Sequence, residues 1–272
     1  MTARLHHEQI ARSDSSPARW LALTHGIYGA GSNWRGIARK LTERRPDWGV
    51  VLVDLRQHGR SDAGAPPHTV AAAAEDVCAL VATLPGVVAL AGHSFGGKVM
   101  LAARAQLPAG RLVQTWLLDS NPAARPGELA RPDNSVGRVL ELIARLPKVW
   151  ARREDFIAAV VADGHDAGLA AWLGMNIVPD ATGALVQRLD PEALRALLTS
   201  YFATDLWASA NEPARGALEI VVADQAHVFE AADAPLLADA PPHVHVHHVD
   251  AGHWLHIEAP AVVVELLAAH LP

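Results

Sequence analysis

Gly92-His93-Ser94-Phe95-Gly96 sets a hydroxyl between two glycines in the pattern Gly-x-Ser-x-Gly. With 20 Gly and ten Ser in 272 residues, chance produces about 0.05 such matches per chain, so the surroundings decide its meaning. An apolar run at 87–91 directly precedes the motif and a helical pattern from Gly97 directly follows it. That is the strand, sharp turn, helix arrangement that lifts a serine hydroxyl off the C-terminal edge of a sheet. Glycine is demanded on both sides because a Cβ there would collide as strand and helix close together. A nucleophile needs a base, and Asp250-Ala-Gly-His253-Trp-Leu-His256 follows a strand-like run and precedes the last helix. A histidine in that loop stands on the same sheet edge as Ser94, so His253 can take the serine proton and return it to a leaving group. His256 falls inside the helix start and is the poorer candidate. An attacked carbonyl also needs donors for its oxygen. His25-Gly26-Ile27-Tyr28-Gly29 follows a third strand-like run, and the backbone N–H of Ile27, with that of Phe95 at the helix start, offers two.

Positioning these pieces requires strands that all end at one edge. Short apolar runs at 20–23, 50–53, 87–91, 112–118, 218–222 and 243–249 alternate with helical patterns such as 70–84, 97–107 and 262–271, and a further edge strand is expected near 5–11. This rhythm predicts an α/β protein with a mostly parallel central sheet flanked by helices. Runs such as 50–53 are apolar throughout, as strands covered on both faces are. Pro260 suits the first turn of the last helix. From Ser120 to about Arg215 the alternation stops. Amphipathic helical pattern takes over, punctuated by Pro122, Pro126, Pro132, Pro147, Pro179 and Pro191. The expectation is a core of residues 1–121 and 216–272 interrupted by an inserted helical cap at 122–215. Trp150, Phe156, Trp172, Tyr201, Phe202 and Trp207 fall in the cap, either as pocket wall or as the cap's own small core.

Composition narrows the partners. Half the residues are hydrophobic and 19% are charged, enough apolar material for a large core without disulfides or metals. The formal net charge is −6, and no Lys/Arg cluster interleaves with aromatics, which argues against a nucleic-acid or anionic-membrane surface and for a small-molecule ligand. Only Lys40, Lys98 and Lys148 among the 23 basic residues are lysine, so arginine is abundant through compositional bias and single arginines carry no weight. The lone Cys78 cannot form a disulfide within the chain. His6, His7, Glu8 and Asp14 occupy the place of an apolar leader core, and no run of 18 apolar residues occurs, so a cytoplasmic protein that does not enter membranes is expected.

These landmarks resemble the α/β-hydrolase superfamily over almost the whole chain, in the right order: His25-Gly26, the stretch Asp54-Leu-Arg-Gln-His-Gly-Arg-Ser61, Gly92-His-Ser94-Phe-Gly96-Gly97 and Gly252-His253-Trp254. Leu118-Asp119-Ser-Asn-Pro122 is similar to the motif after strand six in small capped bacterial esterases and thioesterases. The resemblance implies no cofactor, an acyl-enzyme on Ser94 and a helical cap above the pocket. It also frames the third catalytic group. Most of the superfamily carries an acid in the turn after strand seven, where this chain reads Val222-Ala-Asp224-Gln-Ala-His-Val228. Aligning that turn leaves Asp224 one residue early and a neutral Gln225 in the acid's place. Asp119 is therefore the favoured orienting acid and Asp224 the alternative, with capping of the next turn as the plain role for Asp119. Asp54 and His58 match a landmark concerned with loop geometry, and His93 is expected to lie beneath the serine.

The activity expected is hydrolysis of a small acyl ester or thioester by Ser94, His253 and an aspartate. Carbon–carbon bond hydrolysis or cofactor-free perhydrolysis would use the same groups, and a non-catalytic ligand receptor is the reading from another class. Dehalogenation would require a carboxylate where Ser94 stands. His243, His245 and His247 alternate along one strand at a spacing able to hold a metal, but a solvated edge strand explains them, and no metal site is expected.

Overall fold

The computed structural model describes residues 2–272. The first half runs β1 His7–Ile10, β2 Arg19–Thr24, α1 Arg35–Arg44, β3 Trp48–Val53, α2 Val70–Thr83, β4 Val87–His93, α3 Phe95–Gln106 and β5 Gln114–Leu118. An insertion follows, with α4 Ser135–Arg145, β6 Val149–Trp150, α5 Arg153–Ala162, α6 Ala167–Gly174, β7 Ile177–Pro179, β8 Leu185–Gln187, α7 Pro191–Ala203 and α8 Trp207–Ala210. The chain then closes with β9 Ala217–Ala223, α9 Ala234–Ala238, β10 Val244–Val249, α10 Leu255–Glu258 and α11 Pro260–His270.

Seven strands make one sheet in the order β1-β3-β2-β4-β5-β9-β10. All neighbours are parallel except β1, which runs antiparallel to β3. The protein thus has the α/β-hydrolase fold class that the sequence predicts. β3 is buried along its whole length, as its unbroken apolar run requires. One sheet face is covered by α1 and α11, with Trp34, Leu41, Trp48, Trp116 and Leu267 interlocked there. The other carries α2 and α3, and its core, through Val77 and Val99, continues without a break into Leu140, Phe156 and Leu197 of the insertion. Each such side chain contributes about 1.5–3 kcal/mol when fully buried. The insertion is therefore seated on the sheet body through shared apolar surface.

Register brings the strand ends level. His93 pairs with Leu118, Leu118 with Val221 and Ala223 with Val249. Residues just beyond β4, β5, β9 and β10 consequently crowd one edge.

Inside the insertion, local signals set the helix starts. Asn134, Asp166 and Asp190 cap α4, α6 and α7 by accepting N–H groups of the first turn, and Pro191 occupies the first turn of α7. The segment is not wholly helical as expected. β6, β8 and β7 form a small antiparallel sheet, with β7 and β8 joined by a turn in which Asp180 accepts from Thr182 and Ala184 and Gly183 takes φ +88°. Strands of two or three residues are too short to show an alternation, so helical periodicity masked them. Among the described residues no helix is long and apolar enough to cross a membrane.

Candidate active site

Ser94 occupies the tight joint between β4 and α3 with φ 53° and ψ −122°, and its N–H donates to Leu118 O at 3.0 Å. A non-glycine residue in the positive-φ region stores about 1–3 kcal/mol, which the surrounding strands and helix must offset. The flanking glycines are steric necessities. A Cβ on Gly92 would lie 2.3 Å from Gly96 O, and one on Gly96 would lie 2.3 Å from His25 O.

His253 follows β10 and Asp119 follows β5, and the level strand ends bring them into contact. His253 Nδ1 is 2.6 Å from Asp119 Oδ2. A carboxylate only accepts, so the neutral ring donates from Nδ1 and leaves its Nε2 lone pair open. Asp119 is fully buried, has φ +48°, and its second oxygen accepts the N–H of Ala223 at 3.2 Å. His93 Nε2 donates to the carbonyl of His253 at 2.7 Å, fixing that loop from beneath. Burial, with His253 and His256 close by, holds the His93 pKa well below the usual histidine range, so the ring stays neutral and keeps one donor. Among the described residues no hydrogen bond joins Ser94 to His253. Both instead open onto one cavity of about 690 Å³ between the sheet edge and the insertion.

The loop at 25–29 is shaped by residues further out. His25 donates from Nδ1 to Gly26 O at 2.8 Å and accepts the Leu55 N–H on Nε2 at 3.1 Å. His58 donates to Arg56 O at 2.8 Å and accepts the N–H of Tyr28 at 3.3 Å. Desolvation keeps both neutral, His58 down to about 3. Asp54 accepts from Gly31 at 2.7 Å and Arg60 at 2.9 Å, consistent with a loop-shaping part. Tyr28, at φ +67°, is gripped by the insertion as well: Asn176 Nδ2 donates to its carbonyl at 2.9 Å and its hydroxyl donates to Val136 O at 2.8 Å. Neither the N–H of Ile27 nor that of Phe95 has a partner among the described residues, and Ile27 lines the cavity with Ser94.

Asp224 is elsewhere. It accepts from His248 Nδ1 at 2.7 Å on the exposed rim, while Gln225 donates to Asp250 at 2.8 Å. His245 and His247 do not form a merely solvated row, which corrects the expectation for that strand. Buried Glu219 on β9 accepts from both, at 2.9 and 2.7 Å, and from Gln114 at 2.8 Å. Two of the three rings are thus occupied by a carboxylate that lies far along the chain. Among the described residues no group of three metal-ligating side chains is found.

Of the six insertion aromatics, Trp172, Tyr201 and Phe202 line the cavity. Trp207 instead packs with Leu101, Leu117 and Ile220, and Trp150 stands edge-on to Phe156 at 5.3 Å. Two basic residues escaped sequence reasoning. Lys98, one turn after Ser94, donates to the carbonyls of Ala123, Tyr201 and Thr204 at 2.8, 2.9 and 3.0 Å and so pins α7 and the start of the insertion to α3. Arg125 reaches the cavity wall. Its abundance class hid the second, whereas the rarity of lysine was a usable signal for the first.

The family model described as "Alpha/beta hydrolase family" matches residues 21–266, and the chain belongs to that family, as a hydrolase of the α/β fold. Among curated proteins it is similar to the sn-1-specific diacylglycerol lipase ABHD11 of Xenopus tropicalis, 28% identical over 254 residues that span 90% of this chain and 75% of that one. The Xenopus laevis counterpart is 26% identical over 248 residues, 88% of this chain and 75% of its own. Among solved structures, a marine microorganism esterase superposes with a TM-score of 0.84 at 20% identity, covering 99% of this chain and all of that one. The thioesterase domain from the curacin biosynthetic pathway gives 0.67 at 16% identity, over 97% and 95% of the two chains.

Proposed function

We propose that the protein hydrolyses carboxylic esters or acyl thioesters of small molecules through an acyl-enzyme on Ser94. The observation that carries this reading is the 2.6 Å contact of His253 with buried Asp119 on the cavity that also holds Ser94. Substrate bound with its carbonyl over Ser94 brings the hydroxyl to the open Nε2 of His253, which takes the proton as Oγ attacks. The imidazolium that forms is stabilised by the Asp119 carboxylate, and the oxyanion by the N–H groups of Ile27 and Phe95. His253 then returns the proton to the departing alcohol or thiol, and water repeats the sequence to free the acid. No step calls for a cofactor or metal. Residues 122–215 serve as the cap that sets substrate choice, and the expected compartment is the cytoplasm. Similarity to ABHD11 lipases and to esterase and thioesterase folds supports acyl transfer to water as the reaction class.

The test is turnover of p-nitrophenyl butyrate by wild type and Ser94→Ala. Loss of about 10³-fold or more with an unchanged thermal midpoint is expected, together with covalent labelling of Ser94 by a fluorophosphonate. Labelling at another serine, or a tenth of the activity surviving, would overturn the assignment.

A further inference from the structure

The cavity beside Ser94 and His253 carries a cation that no carboxylate approaches within 4.0 Å among the described residues. Arg131, on the same wall, is held by Asp133 at 2.9 Å and lies 3.7 Å from Glu128. Asp166, also on the wall, accepts the N–H of Leu169 at the start of α6. Arg125 differs from both. Among the described residues its half-buried guanidinium makes no ion pair within 4.0 Å and donates no hydrogen bond within 3.5 Å; its polar neighbour is the buried hydroxyl of Tyr201, which is neutral and leaves the charge unmatched. Asp205, a neighbour across the loop, is engaged by the N–H groups of Ala124 at 3.2 Å and Trp207 at 3.1 Å instead.

The position of Arg125 is well defined. Its own N–H donates to Phe202 O at 2.7 Å, and its guanidinium carbon stands 5.8 Å from the centre of the Phe202 ring. Phe202 meets Tyr201 edge-on at 5.0 Å, and Tyr201 lies 5.9 Å from the ring of Phe95, whose N–H is the proposed second oxyanion donor. A row of three rings therefore leads from the oxyanion donor to an unpaired guanidinium. Arginine stays charged at every working pH and presents a planar fork of donors that fits a carboxylate with two parallel bonds. The Phe202 ring gives the guanidinium a weak cation–π attraction but no acceptor, so its N–H donors stay unmatched in a half-buried place, and a bound anion supplies what they lack. Glu128, Asp133, Asp166 and Glu230 on the same cavity repel an anion in proportion to its charge, so one guanidinium matches a single carboxylate better than a dianion such as a phosphate ester.

From this unpaired guanidinium on the wall of the Ser94 cavity, we infer that the substrate is an ester or thioester bearing a carboxylate, and that Arg125 receives that carboxylate. The inference rests on the hydrolytic reading of the same site. The carboxylate belongs either to the acyl part or to the leaving group, and the experiment separates the two.

Three thioesters are compared: glutaryl N-acetylcysteamine, with its charge on the acyl part; butyryl thioglycolate, with its charge on the leaving group; and neutral valeryl N-acetylcysteamine. Wild type is expected to favour one charged thioester over the neutral one in kcat/KM by about 30-fold, the effect of a charge-assisted hydrogen-bonded pair. Arg125→Gln should collapse that ratio towards one, chiefly through KM, and Arg125→Lys should restore part of it. In parallel, calorimetry on Ser94→Ala should show monomethyl glutarate, or acetylated 3-hydroxypropionate if the leaving-group arm wins, binding more tightly than methyl valerate, with the difference lost in Ser94→Ala/Arg125→Gln. Turnover of all three thioesters without a charge preference, or a preference that survives Arg125→Gln, would overturn the inference while leaving the hydrolase reading intact. A carboxylate preference in binding without turnover of any of the three thioesters or of p-nitrophenyl butyrate would overturn the hydrolase reading and leave Arg125 as an anion subsite.

Discussion

Asp119→Asn keeps the shape of the side chain and removes its charge, and on the proposed mechanism two hydrogen bonds decide how the variant fails. The two carboxylate oxygens of Asp119 accept from two different donors, His253 Nδ1 and the N–H of Ala223. An amide has only one oxygen. If it keeps Ala223, its NH₂ faces His253 and drives the ring to carry its proton on Nε2, which removes the lone pair needed for Ser94. If it keeps His253, its NH₂ meets the Ala223 N–H, two donors face to face in a site without solvent. In both cases the charge opposite the forming imidazolium is lost. Two unit charges about 4 Å apart at an effective dielectric near 20 interact by about 4 kcal/mol, equivalent to roughly 10³ in kcat at 1.36 kcal/mol per decade. The assay is kcat and KM for p-nitrophenyl butyrate between pH 6 and 9, with Asp224→Asn alongside. Asp119→Asn should lose about 10²–10⁴ in kcat with little change in KM. Asp224→Asn breaks only an exposed pair with His248 and should stay within about threefold of wild type. A large loss in Asp224→Asn, with Asp119→Asn close to wild type, would refute the reasoning.

Trp172→Ala opens the cavity where Trp172 meets Trp254 edge-on at 4.6 Å, so chain-length preference among nitrophenyl esters should shift by about tenfold while acetyl ester turnover changes little; equal effects on every ester would count against it. Trp207→Ala empties a buried cluster instead, and urea unfolding should show a loss of about 3–5 kcal/mol with the ester profile retained. Lys98→Met strands three carbonyls and should lower stability by about 2–4 kcal/mol and expose the insertion to limited proteolysis; a midpoint equal to wild type would remove Lys98 as the pin. His58 and His256, held by burial at about 3 and about 4, are neutral in the folded chain while their unfolded forms take up protons below pH 6.5. Their stabilising share is complete above that value and declines as pH falls towards 3–4, by about 1.4 kcal/mol per pH unit for each. The urea midpoint should therefore drop between pH 7.5 and pH 5, and a flat midpoint would contradict it.

Sequence made local features legible and left long-range ones open. The turn at Ser94, the glycines around it and the loop at 25–29 each show in a few consecutive residues, because the steric demand and the residues meeting it are adjacent. The partner of His253 could not be read that way. Whether Asp119 or Asp224 faces it depends on how β5, β9 and β10 end relative to one another, a matter of register between strands that are separate in sequence. Glu219 escaped notice for the same reason, since its two histidines lie on a strand 26 and 28 residues later. The small sheet of the insertion was hidden by strand length, and Arg125 by the abundance of arginine. Its significance lies in what it lacks, and a missing partner has no sequence signature.

The grip on Tyr28 has a consequence for recombination. The residue is bonded on one side to the sheet body, through His58, and on the other to α4 and the end of α6, through Val136 and Asn176. A chimera that exchanges residues 122–215 for another insertion removes both of the latter bonds at once. A left-handed backbone held by one remaining hydrogen bond then relaxes, and Ile27, next to it, turns its N–H away. Transplants must therefore keep Tyr28 with Asn176 and with a helix start that sets a backbone carbonyl where that of Val136 lies, and libraries cut at 121 and 216 without them are expected to hold folded but slow members.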